Sequence, residues 1–126
     1  MTIERRKYVR FLVQDMAFAA IRNGFKKVGK INDISIKGLA FSYLSETNEA
    51  DADRHSPKVD IFLSGNGFHL SNVPCRIVYD TPEVTPYKES LVKMSRCGLH
   101  FGELIESQSE LLENFIKNHT TGLVSS

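Results

Sequence analysis

Helical periodicity occurs in one stretch of this chain only, at its end. Ser107-Gln108-Ser109-Glu110 has capping-box form, and Leu111, Leu112, Phe115 and Ile116 follow at the spacing that places them on one helix face, so a helix is expected over 107–118. Upstream, apolar residues come in short runs divided by turn residues, which is the pattern of strands. A strand is expected near 12 to 21, closed by Asn23-Gly24, and two more over Val28 to Ile34 and Leu39 to Leu44, joined by Ser35-Ile36-Lys37-Gly38 with the glycine at a turn position. Val59 to Leu63 and Phe68 to Leu70 flank Ser64-Gly65-Asn66-Gly67, a hairpin signal because Asn and Gly tolerate left-handed backbone. Val73 to Tyr79 and Leu91 to Phe101 complete an antiparallel set across a connection that holds Pro82 and Pro86. About six strands and one terminal helix define a mainly β fold, a small barrel or sandwich whose edge or open mouth the helix covers.

A chain of 126 residues, 41% hydrophobic and 25% charged, fits one soluble domain able to bury a core without disulfide or metal staples. The longest apolar run, Met16 to Ile21, is far too short to cross a bilayer, and the polar opening is unlike a signal peptide, so a cytoplasmic location is expected. Cys75 and Cys97 stand in no metal-ligand spacing and read as buried reduced thiols. The net charge of +1 conceals a division: residues 1 to 30 carry eight basic and two acidic side chains, the remainder eight basic and thirteen acidic. The concentrated positive charge implies an anionic partner at the N-terminal end rather than nucleic acid wrapped over the whole surface.

Enzyme signatures are lacking. His55, His69, His100 and His119 are scattered, HExxH, GxSxG and P-loop patterns are absent, and Asp51-Ala52-Asp53 has no third ligand at EF-hand spacing, so neither a catalytic site nor a metal site is expected. The acidic segment 45–57 reads as a solvated loop.

Two segments stand out from this background. Glu4-Arg5-Arg6-Lys7-Tyr8-Val9-Arg10 holds RxxxR at Arg6 and Arg10, and Asp33-Ile34-Ser35-Ile36-Lys37-Gly38, beginning 23 positions beyond Arg10, holds D/NxSxxG at Asp33, Ser35 and Gly38. Taken singly, each reads as a basic terminus or a serine turn. Together, in this order and with a strand-rich middle and a closing helix, they resemble the PilZ domain family over nearly the whole chain.

The resemblance implies a six-stranded antiparallel β-barrel with a C-terminal α-helix: a basic ligand-binding segment over 1–11, the barrel over 12–102 and the helix over 107–118. It implies no enzyme but a receptor or adaptor for cyclic di-GMP, acting through a protein partner, without DNA, RNA or an inserted membrane as partner. Arg6 and Arg10 suit the ligand's phosphates and the O6/N7 edge of guanine, because guanidinium groups form bidentate hydrogen bonds. Asp33 suits the guanine N1–H and amino donors, Ser35 can donate or accept beside it, and Gly38 permits close backbone approach. Arg5, directly before RxxxR, is associated in the family with a mutually intercalated ligand dimer, which implies two ligands per chain and no other cofactor. Two alternatives are a nucleotide-independent PilZ-like interaction module in pilus, flagellar or polysaccharide assembly, and a single-stranded nucleic-acid binder using Tyr8 and Phe11.

Overall fold

The computed structural model describes residues 8–23, 25–45, 57–65, 67–83 and 93–124. The strands are β1 (Phe11–Val13), β2 (Ala17–Asn23), β3 (Phe25–Ile34), β4 (Gly38–Ser45), β5 (Lys58–Leu63), β6 (His69–Pro82), β7 (Lys93–Phe101) and β8 (Thr120–Leu123), with one helix, α1 (Glu106–Asn118). Every pairing is antiparallel, in the order β2-β5-β6-β7-β4-β3, and a further β2–β3 pairing closes these six into a barrel. The remaining two strands extend the wall, β1 on β3 and β8 on β1. The expected six-stranded barrel with a C-terminal helix is therefore present, with two strands added.

Alternation of side chains across each strand fills the interior with Ile21, Ile31, Phe41, Val59, Ile61, Leu70, Val73, Cys97 and Leu99, all essentially inaccessible to solvent. Both thiols are buried and outside any disulfide, and burial pushes Cys75 up to about 11 and Cys97 up to about 12, so neither offers thiolate at neutral pH.

Helix α1 packs against β6 and β8 and adds Leu112 and Phe115 to the core. Phe115 lies 5.3 Å from the Phe68 ring and 5.6 Å from His119, centroid to centroid, beside the β5–β6 hairpin. The helix is capped two residues earlier than its serines suggest. Ile105 is the N-cap, and the Gln108 side chain accepts the Ile105 N–H at 3.2 Å while donating to the Ser71 and Asn72 carbonyls, which ties the first turn to β6.

Three sequence expectations are corrected. The strand near 12 to 21 is two strands, broken at Asp15-Met16, where Met16 takes a left-handed φ of 71°. The runs expected over Phe68 to Leu70 and Val73 to Tyr79 fall in one strand, His69–Pro82, continued through Asn72 at φ 57°, whose N–H donates to the buried Asp60 carboxylate at 2.8 Å. Gly38 carries no left-handed φ; it opens β4, and its role is steric.

Candidate functional site

The outer wall of the barrel has a hollow on β4 and β7, and small residues make it. Cross-strand partners point to the same face of a sheet. Register places Asp33 opposite Ala40, Ala40 opposite Gly98, and Gly98 opposite Tyr79, so one row over four strands reads large, small, small, large. Gly38 lies opposite His100 in the row above. Gly38, Ala40 and Gly98 thus floor a pocket of about 410 Å³ with Arg10, Asp33, Tyr79 and His100 among its walls. That volume falls within the roughly 300–1,000 Å³ of small-molecule sites.

The glycines are fixed by close contacts. A Cβ on Gly38 would stand 2.1 Å from the Leu99 carbonyl oxygen, and one on Gly98 would stand 2.1 Å from the Tyr79 ring. The turn before Gly38 is held from within, where the Ser35 N–H donates to the Gly38 carbonyl at 2.8 Å and the Lys37 N–H donates to Ser35 Oγ at 3.1 Å, and from β7, where the Phe101 N–H donates to the Lys37 carbonyl at 2.7 Å. Ser35 Oγ therefore already serves the turn, the local role expected of serine in such a segment.

Asp33 is nearly buried, its side chain 7% exposed, between two guanidinium groups. Arg96 Nη2 donates to its Oδ2 at 3.0 Å, whereas Arg10 Nη1 approaches Oδ1 only to 4.0 Å. Arg96 in turn donates from Nε to the Tyr79 hydroxyl at 3.3 Å. That hydrogen bond, with the charge of Asp33 adding to it and burial opposing it, raises the already high pKa of Arg96, so the cation is permanent. Across the pocket Lys37 Nζ sits 5.4 Å from the centre of the Tyr8 ring, and His100 Nδ1 meets Arg76 Nη2 at 3.2 Å. The site is cationic on its rim, with one carboxylate in its wall.

Of the six residues read from the motifs, the fold brings Arg10, Asp33, Ser35 and Gly38 to this one pocket. Arg5 and Arg6 lie outside the described residues, as does Lys7. The sequence leaves open whether Lys37 or Arg96 reaches the ligand, and it does not assign Ala40, Tyr79 or Gly98 to the site. The trace of Gly98 in the sequence is a glycine in the interior of a strand pattern, a mark of close approach. Strand β8, also unforeseen, contributes indirectly: the Val124 N–H just beyond it donates to the Arg10 carbonyl at 3.1 Å and holds the backbone from which that arginine projects.

The described residues thus form a closed antiparallel β-barrel with a pocket on its outer wall, lined by Arg10 just before β1 and by the β3–β4 turn. The sequence matches the PilZ domain over residues 4–118, and the chain belongs to that family. A search among curated proteins finds no match. Among solved structures, the fold is similar to the PilZ domain with c-di-GMP of YcgR from Escherichia coli, with TM-score 0.62 and 11% identity, covering 90% of this chain and 91% of that one. It is similar also to the K. pneumonia MrkH-c-di-GMP complex, with TM-score 0.66 and 14% identity over 93% of this chain and 53% of that one. A third likeness is to the Bacillus subtilis inhibitor of motility MotI/DgrA, with TM-score 0.56 and 18% identity over 91% of this chain and 51% of that one. The chain thus spans about half the length of MrkH and MotI. Among the described residues no helix is long and apolar enough to cross a membrane.

Proposed function

We propose that this chain is a cyclic di-GMP receptor. The observation that carries the reading is the convergence of Arg10, Asp33, Ser35 and Gly38, residues from two segments of the sequence, on one pocket of ligand size. Arg10 has a side chain 37% exposed and only a long contact to Asp33, so it is available to a phosphate or to a guanine O6/N7 edge. Asp33 offers a carboxylate to the guanine N1–H and amino group. Arg6 would add a second cation, and Arg5 a third that allows an intercalated ligand pair. The solved PilZ domain of YcgR with c-di-GMP and the MrkH-c-di-GMP complex support the ligand class. The family supports a receptor rather than an enzyme.

Arg10→Ala removes a charge-assisted contact without touching the core. It is expected to leave the fold intact and to weaken cyclic di-GMP binding about tenfold or more, equivalent to ~1.5–3 kcal/mol, in calorimetric titration. A folded variant that binds like the wild type would remove Arg10 from the site.

The signal passes to a protein partner through the segment from Arg5 to Arg10, which changes conformation as its arginines engage the ligand and presents a new surface. Amide hydrogen exchange in that segment is expected to slow on ligand addition. Unchanged exchange in a saturated sample would exclude this route of signalling.

A further inference from the structure

The two oxygens of Asp33 are divided between two arginines of unequal reach. Oδ2 is held at 3.0 Å by Arg96, and Oδ1 stands 4.0 Å from Arg10. A carboxylate this buried is costly to leave without a cation. Were Arg10 its only partner among the described residues, a phosphate drawing Arg10 away would strand Asp33, and the two contacts would compete. Arg96 removes that conflict, because it stays with Asp33 while Arg10 turns to the ligand.

Arg96 is itself fixed. Its Nε is received by the Tyr79 hydroxyl at 3.3 Å, and the Tyr79 ring occupies the space left by the missing side chain of Gly98. Gly98, Tyr79, Arg96 and Asp33 form one chain of contacts from β6 across β7 to β3, three residues of it in the row that crosses the pocket floor.

We propose that Arg96, braced by Tyr79, is the positioning residue that sets the Asp33 carboxylate for base recognition. This rests on the reading of the pocket as a cyclic di-GMP site. Arg96 acts through Asp33, so its loss falls on the choice of base more than on binding of the ribose-phosphate ring.

The test titrates wild type and Arg96→Gln with cyclic di-GMP and with cyclic di-IMP, whose hypoxanthine lacks the exocyclic amino group. The wild type is expected to prefer the guanine ligand about tenfold, the discrimination of one well-placed polar pair. In Arg96→Gln that preference is expected to fall to about threefold or less, with cyclic di-GMP weakened about tenfold and cyclic di-IMP, which keeps N1–H but lacks the amino donor, weakened less. Arg96→Lys keeps the charge without the fork that reaches both Tyr79 and Asp33, and is expected to recover part of the preference. If Arg96→Gln does not fold, Tyr79→Phe, which removes only the hydroxyl brace, takes its place with a smaller loss in the same direction.

A folded variant that keeps the wild-type preference, or that weakens both ligands equally, overturns the positioning role and leaves the receptor reading standing. So does a wild type that binds both ligands alike. A wild type that does not bind cyclic di-GMP overturns the receptor reading, and the positioning role falls with it.

Discussion

Phe115→Ala is expected to lower the stability of the fold by about 3–5 kcal/mol, the range for truncating a fully buried aromatic side chain. Phe115 is 0% exposed, and its ring forms a three-ring cluster with Phe68 and His119, which also touch each other at 5.8 Å between centroids. Truncation leaves a cavity that α1 cannot close by shifting, because Gln108 pins its first turn to the Ser71 and Asn72 carbonyls and the Thr120 hydroxyl donates to the Ile116 carbonyl at its end. Beyond the cavity, the loss weakens the seat of β8, and β8 supports the Arg10 backbone. Urea unfolding of the two proteins measures the difference. A loss below about 1 kcal/mol would mean that the helix is not seated in the core as described.

The second large effect is expected at Gly38. Gly38→Val places a branched side chain where even a Cβ would lie 2.1 Å from the Leu99 carbonyl oxygen, a backbone atom that cannot rotate away. Strands β4 and β7 must separate locally, and the ladder that begins at Gly38 and His100 loses its first rungs. Overpacking of this kind costs about 1–3 kcal/mol or more. Because the same strands floor the pocket, ligand binding is expected to be lost at temperatures where the variant is still folded. Circular dichroism and titration on one sample separate the two consequences. A stable variant with wild-type affinity would show that the close approach of β4 to β7 is not needed.

How much of this was legible beforehand follows from where the causes lie. The closing helix was readable because Leu112 and Phe115 recur at helical spacing, and that face did find its dock. The strands on either side of Ser35 to Gly38 were readable from their apolar runs, and Arg10, Asp33, Ser35 and Gly38 from their motifs. The break after Val13 was not, because the chain turns at Met16 in a left-handed conformation without the glycine or proline that usually announces it. Continuity through Asn72 was hidden for the opposite reason: polar Ser71-Asn72 reads as a turn, and what keeps it in the strand is the Asp60 carboxylate twelve positions earlier. The pocket floor is a property of register. Ala40 and Gly98 lie 58 positions apart and become one surface only when β4 pairs with β7. Arg96, 63 positions from Asp33, reaches it over that same pairing, which no local pattern displays. The role of Gly38 was half legible: close approach was expected, but a turn conformation was not found, since the demand comes from the neighbouring strand.

The central claim is that the pocket between β3, β4, β6 and β7 receives cyclic di-GMP. Isothermal titration of the wild-type protein with cyclic di-GMP, beside GMP and cyclic di-AMP, tests it most directly. The account predicts selective, saturable binding of cyclic di-GMP, with a stoichiometry of two ligands per chain if Arg5 supports the intercalated pair and one if it does not. A folded sample that gives no saturable heat with cyclic di-GMP at high concentration at two well-separated temperatures would contradict the account and turn the site toward a nucleotide-independent protein partner.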